Sequence, residues 1–379
     1  MNETIGKLSL RILQELGQCP TAPFYEDSVS SYIQDFIRRL NLQHRMDAYG
    51  NILIHIVGKD PEIPPIAFVA HMDHPGFEAI TTTNHREALV LPLGGIPKIC
   101  FAQASTPTLV LDVDGQWIPS LVFKANSHSD DQTLYLALDD SAKLSFPTPL
   151  VLDIPNFSQS DSVVSMRACD DLAGCAIILA LMEHLIETKP PGDVFGIFTR
   201  AEEVGLTGAS LLAESQILPA NCFVISVESS KELPGASMHQ GPVIRVGDAA
   251  STFTFGAEQI LRTASQELMA ENQSFQIQRQ LMSGGTCEAT AFIAYGYRAG
   301  GLAFPLANYH NSTPSNQIGS ESISINDLSN AAQLIFRSSH LMSKNLSFPT
   351  FDRFREASGA HRERLMNTRN RLVSSSNRM

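Results

Sequence analysis

The stretch that decides the reading is Ile197–Ala209, IFTRAEEVGLTGA, in which an apolar run that begins at Val194 stops at two adjacent carboxylates, Glu202 and Glu203. Neighbouring side chains on an extended segment point to opposite faces. Two acids just past a strand end can therefore take separate tasks, one holding a cation and one moving a proton. Taken alone, such a pair is more often a solvated turn, so the remainder of the chain has to carry the argument.

Working outward, the segments after Asp161 alternate between strand and helix. Residues 168–187 form a helix entered through Cys169-Asp170-Asp171, 194–199 a strand, 207–216 a helix, and 222–227 (CFVISV) a buried strand. Further helices are predicted over 253–272, 289–295 and 325–344, with strands over 276–280 and 298–304. Before this region lie helices over 4–17 and 25–40, a strand over 51–57, and a short continuous apolar strand, IAFVA, over 66–70. That alternation predicts an α/β fold, a parallel sheet covered by helices. Between about 78 and 160 the texture changes to short strand-like segments (ALVLPL, TLVLDV, SLVF, TLYLAL, LVLDI) broken by Gly, Pro, Asp and Asn, which reads as a small all-β unit. Two acidic doublets within it, Asp130-Asp131 and Asp139-Asp140, sit among turn residues and read as solvated turns.

With 379 residues the chain is long enough for two domains or one large domain with an insertion. A formal net charge of -12 argues against a general nucleic-acid binder, which needs a basic surface. The six cysteines (Cys19, Cys100, Cys169, Cys175, Cys222, Cys287) show no C-x-x-C spacing, so they are read as reduced, mostly buried thiols. No apolar stretch reaches the roughly 18 residues of a membrane span, and the N-terminus lacks a signal-peptide h-region. The expected location is the cytoplasm, with no membrane partner. After Phe351 the balance reverses, with seven arginines against three acidic residues, and the chain ends in a Ser/Asn-rich tip expected to be disordered.

Four predicted strands run into residues able to hold metals: IAFVA into His71-Met72-Asp73, VFGIFT into Glu202-Glu203, CFVISV into Glu228, and GLAFPLANY into His310. Open α/β sheets place their ligands beyond the carboxyl ends of strands. Asp170, at the start of DLAGCAIILALM, adds a fifth group. Imidazoles and carboxylates without thiolates suit Zn²⁺, or Co²⁺ or Mn²⁺. Two histidines and three carboxylates are too many for one open catalytic zinc and suffice for two ions if Asp170 bridges. Asp73 is placed to accept the ring N–H of His71. With Glu203 on a metal, Glu202 is free to take a proton from metal-bound water and hand it to a leaving amine, and its acidic neighbours should raise its pKa.

In this order the segments YED, YGNILI, AHMDHPGF, CDDLAGCAIILALM, FTRAEEVGLTGA, VISVES, GPVIRVGD, SGGTCEA and NYHNSTP resemble the dinuclear metallo-aminopeptidases of the glutamyl aminopeptidase and TET type, metallopeptidase family forty-two, over roughly residues 5 to 345. The resemblance implies a three-layer α/β/α zinc-peptidase domain in two parts, 1–78 and 161–345, interrupted by a β-barrel assembly domain over 79–160 and followed by an arginine-rich tail over 346–379. It implies that His71, Asp170 and Glu228 hold one metal and Asp170, Glu203 and His310 the other, with Asp73 orienting, Glu202 as base and a cis peptide after Asp170. It further implies short peptides as substrates and a homo-oligomer, from dimer to dodecamer. Four positions depart from the family pattern: Glu228 and Cys287 stand where Asp is usual, and His74-Pro75 replaces Glu-Ile. The rival readings are a metal-dependent deacylase of N-acyl amino acids, since the same groups cleave any amide, and a non-catalytic assembly protein on the same fold.

Overall fold

The computed structural model describes residues 4–124, 133–138, 143–344, 346 and 358–376; the doublets Asp130-Asp131 and Asp139-Asp140 lie outside them. The chain enters through two amphipathic helices with buried apolar faces, α1 (Ile5–Leu16) and α2 (Asp27–Arg39). Three strands follow, β1 (His44–Met46), β2 (Ile52–Ile56) and β3 (Ile66–His71). Next come β4 (Gly76–Asn84), β5 (Glu87–Leu93), β6 (Ser105–Leu111), β7 (Trp117–Lys124), β8 (Leu134–Ala137) and β9 (Thr148–Leu152), which close into a barrel in the order β4-β5-β8-β7-β6-β9. Alternate residues point inward, so that Phe77, Val90, Val110, Val122, Leu136 and Leu150 fill its centre.

After the barrel come β10 (Ser158–Gln159), β11 (Val163–Met166), α3 (Cys169–Thr188), β12 (Val194–Thr199), α4 (Thr207–Glu214), β13 (Phe223–Lys231) and β14 (Val243–Arg245). They are followed by α5 (Phe255–Glu271), β15 (Gln278–Gln280), α6 (Glu288–Ala294), β16 (Arg298–Ala307), β17 (Glu321–Ser324) and α7 (Ile325–His340). These elements, with the barrel, make up a unit reaching Lys344.

Its main sheet runs β1-β2-β12-β3-β13-β16-β17-β11-β10, and the central β12, β3, β13 and β16 are mutually parallel. Parallel strands covered on both faces read as continuous apolar runs, and every residue of β3 and β12 is buried. α3 is apolar nearly all round, as a core helix must be, and its Ile178 and Met182 pack where Gly196 leaves room on β12. On the opposite face Leu212 and Ala213 of α4 and Phe292 of α6 pack with Val69, Ile197 and Val224. Three layers, helix, sheet and helix, result, with the barrel inserted after β3.

Three expectations are revised. β13 continues three residues past Glu228, because it keeps pairing with β16 as far as Lys231↔Leu306. The start of α3 is not regular helix: Asp170 and Asp171 have non-helical backbone angles and are joined by a cis peptide, as the resemblance implied. The second unit, 345–379, carries one described helix, α8 (Gly359–Ser376), which runs through Ser374–Ser376 of the tip expected to be disordered. Arg, Leu, Met and Glu upstream are strong helix formers, and propagation costs less than nucleation.

Candidate metal centre

The site is built where parallel strands stop together. β12 and β3 pair as far as Thr199↔His71. β3 and β13 pair as far as Ser226↔Val69, so His71 and Glu228 follow on adjacent strands two residues later. The turn carrying the two glutamates is held from a distance by two residues of the quoted motifs. Glu26, from YED, accepts the amide of Ala201 at 3.0 Å and the Arg200 Nε at 2.7 Å; Asn51, from YGNILI, accepts the amide of Arg200 at 3.0 Å. Ala201 sits at φ +53, a left-handed conformation that costs a non-glycine residue energy and needs such support.

Asp73 is placed differently from the sequence expectation. Its carboxylate accepts the backbone N–H groups of Glu202 at 2.9 Å and Glu203 at 3.1 Å, fixing both acids at once. With those oxygens engaged, the His71 Nδ1 bonds instead to the Asp73 backbone carbonyl at 3.1 Å, and the nearest Asp73 carboxylate oxygen lies 3.6 Å away. Asp73 thus orients the glutamate turn with its side chain and His71 with its backbone.

On the other side, Glu321 of β17 accepts the amide of Asp170 at 3.0 Å and that of His310 at 2.8 Å, tying two distant residues to one carboxylate. The His74 ring spans the carbonyl of Asp170 at 2.6 Å and the Asn311 Oδ1 at 3.0 Å. In the sequence His74 stands out only as part of a departure from the family pattern, although HMDHPG places it three residues from His71. Nothing in the sequence marks Glu321, one acid on a short strand.

All five residues expected to hold metals come together. His71 Nε2 lies 3.3 Å from Asp170 Oδ1 and 3.8 Å from Glu228 Oε2. His310 Nε2 lies 3.3 Å from Glu203 Oε2 and 3.8 Å from Asp170 Oδ2. Each triad has its donor atoms within 4.8 Å of one another, and Asp170 belongs to both, offering one oxygen to each. The first triad is the inner one, with the His71 side chain 1% exposed against 14% for His310. Glu202 Oε2 stands 3.9 Å from His71 Nε2.

Burial and mutual repulsion dominate the electrostatics of these groups. Burial raises the pKa of Glu202 well above the ordinary carboxylate value, with Glu228, Glu203 and Asp73 adding to it; desolvation outweighs the acidic neighbours invoked from sequence. Burial likewise pushes Glu228 up to about 7. Burial opposes protonation of His71, but Glu202, Asp170 and Asp73 together raise its pKa well above the usual imidazole value. Asp170 Oδ1, Glu203 Oε1 and His310 Nε2 are buried with no hydrogen-bond partner among the described residues. Buried polar atoms are normally paired, and hard oxygens with imidazole nitrogens are a donor set for Zn²⁺ or a similar divalent ion. The residues fit such ions.

A cavity of about 230 Å³ opens from these carboxylates and is walled by Lys231, Arg245, Met282, Gly285 and Thr286. Arg245 is 3% exposed, donates from Nη1 to Ser230 Oγ at 3.0 Å, and forms no ion pair with a carboxylate among the described residues.

A three-layer α/β/α fold with imidazoles and carboxylates gathered beyond its parallel strands defines a metallohydrolase. Residues 140–334, just over half of the chain, match the family model described as M42 glutamyl aminopeptidase, and the chain belongs to that family of metal-dependent hydrolases of peptide bonds. The chain is similar to the glutamyl aminopeptidase of Lactococcus lactis subsp. cremoris, with 22% identity over 297 residues, 72% of this chain and 81% of that protein. It is 25% identical over 182 residues, 47% of its length, to a protein of Acetivibrio thermocellus provisionally named an aminopeptidase, and spans about half (51%) of that relative. Among solved structures, the TET1 peptidase of Pyrococcus horikoshii, which can assemble into a tetrahedron or a large octahedral shell, matches with a TM-score of 0.71 at 22% identity, covering 87% of this chain and 99% of that one.

Proposed function

We propose that the chain is a dinuclear metal-dependent aminopeptidase that removes N-terminal residues from short peptides. His71, Asp170 and Glu228 would hold one ion and Asp170, Glu203 and His310 the other, zinc first and cobalt or manganese as substitutes. The observation that carries this reading is the sharing of Asp170, whose Oδ1 faces the imidazole of one triad while its Oδ2 faces that of the other. Bound there, two divalent ions supply Lewis acidity to the scissile carbonyl and lower the pKa of the attacking water.

The protein's own part is proton transfer and positioning. Glu202 takes the proton of the water that attacks the carbonyl carbon and delivers it to the amine nitrogen as the C–N bond breaks. Asp73 holds the Glu202 backbone so that this carboxylate stays beside His71. Arg245, buried with no direct ion pair to a carboxylate among the described residues although Glu228, Asp248 and Glu202 act on it at longer range, and Lys231 on the same wall favour an acidic N-terminal side chain, in keeping with the glutamyl name of the Lactococcus lactis relative.

The same reading makes 79–160 an assembly element interrupting the catalytic parts 1–78 and 161–345, and the protein a homo-oligomer. It also gives a cytoplasmic setting, supported by six free cysteines. No helix among the described residues is long and apolar enough to cross a membrane.

The test pairs Glu202→Gln with a substrate comparison. The variant is expected to keep its metal and lose nearly all hydrolysis of an aminoacyl anilide, and the wild type to reject the N-acetylated anilide. Cleavage of the acetylated form as fast as the free amine would point to a deacylase. Fewer than about one ion per chain, with no hydrolysis after zinc or cobalt is added back, would point to a non-catalytic assembly protein.

A further inference from the structure

Among the described residues, the barrel meets the metal centre at the Gly94-Gly95 corner, just after β5. The carbonyl of Gly95 lies 2.9 Å from His310 Nδ1. A carbonyl can only accept, so Nδ1 carries a hydrogen, and in the neutral ring Nε2, the atom facing Glu203 and Asp170, keeps its lone pair free. The corner also leaves no room for side chains. A Cβ on Gly95 would stand 2.5 Å from His310 Nδ1 and 3.0 Å from its Cε1. Gly94, at φ +80, would bring one within 3.1 Å of the Glu203 Cβ. Two of the three residues in the outer triad are thus packed on one corner of the barrel. The inner triad is held by the sheet side: His71 by Asp73, and Glu228 by Ser226 Oγ at 3.0 Å.

His310 needs such support. Its backbone sits at φ +51, within a run that also places Asn308 and Asn311 in the left-handed region. Its amide is fixed by Glu321, but its ring is fixed by Gly95.

We propose that the barrel is a working part of the outer cation site: the Gly94-Gly95 corner sets the tautomer and seat of His310. The inference rests on the two-ion reading of the centre. By linkage, seating of the barrel and occupancy of the outer site support each other by the same factor. Any event that shifts the barrel, such as contact with another copy through it, would then alter the outer ion and leave the inner one in place.

The test is a double-mutant cycle on the full chain, read by zinc stoichiometry and by calorimetric titration against a competing chelator. The wild type is expected to bind two ions. Gly95→Ala should keep one ion at wild-type affinity and weaken the other by about 10- to 100-fold, the usual cost of disturbing the group that orients a metal-bound imidazole. His310→Ala should weaken the same ion. The double variant should match His310→Ala alone, because the added methyl no longer meets an imidazole. Gly115→Ala, in the barrel at φ +78 with no described residue within 4 Å of its Cβ, should leave both affinities unchanged. Two wild-type affinities in Gly95→Ala, a further loss of metal in the double variant, or failure of both Gly95 variants to fold would overturn the proposal. A wild type that binds fewer than two ions would overturn the reading of the centre itself, and the inference with it.

Discussion

The two triads differ in what carries them. His71 closes a strand buried at every residue and Glu228 lies within β13, so the inner triad is carried mainly by the sheet. Glu203 and His310 stand on turns, in backbone that is left-handed at Ala201 and at His310, and their packing depends on Glu26, Asn51, Glu321 and the barrel corner. Only Asp170 belongs to both. A strand end is fixed by ladder hydrogen bonds and buried apolar area, whereas a turn is fixed by a few specific polar contacts, each removable by one substitution. The inner site should therefore be the more robust of the two.

The largest expected effect tests chemistry common to both triads. Glu202→Gln should lower kcat by about 10² to 10⁴-fold, the range for loss of a general base, with both ions retained by metal analysis. A kcat within tenfold of wild type would remove Glu202 from its role. Next comes the contrast itself: His310→Ala should keep one ion through dialysis against a weak chelator, and His71→Ala should lose the inner ion and also lower the thermal midpoint. Equal losses in the two variants would erase the distinction between sheet-borne and turn-borne ligands.

A smaller effect is expected from Glu321→Gln. The amide keeps one acceptor for two backbone N–H groups, so the outer ion should weaken by roughly tenfold or more while the fold loses about 1 to 3 kcal/mol. Zinc affinity and chemical denaturation report the two losses separately; loss of both ions together would contradict the assignment of Glu321 to the turns. The smallest change concerns the substrate wall. Arg245→Met should reduce the preference for glutamyl over leucyl anilide, as a ratio of kcat/KM, by about 10- to 100-fold, since it removes the buried partner of the acidic side chain. An unchanged ratio would show that the wall does not read charge.

The same contrast explains what was legible in the sequence. β3, β12 and the core of α3 could be read because burial on all sides writes itself as uninterrupted apolar residues, and their ends then point to His71, Glu202 and Glu203. The barrel was legible as texture, through short strands broken by turn residues. The supporting contacts were not legible. Glu26 and Asn51 act across more than a hundred residues of chain on the Arg200-Ala201 turn, and Glu321 and Gly95 reach His310 from separate elements. Spacing along a sequence carries no trace of such approaches. The Asp73 geometry failed for a related reason: period-two alternation gives the face of a side chain but not which of several nearby donors it satisfies. α8 exceeded its expectation because residue composition near a terminus says less about order than the helix formers that precede it.

The account rests on two cations sharing Asp170. Anomalous diffraction from crystals of the zinc-loaded full chain tests it most directly. Two peaks are predicted, both in contact with Asp170, one beside His71 and Glu228 and the other beside Glu203 and His310. A single peak, or zinc bound only away from these five side chains, would contradict it.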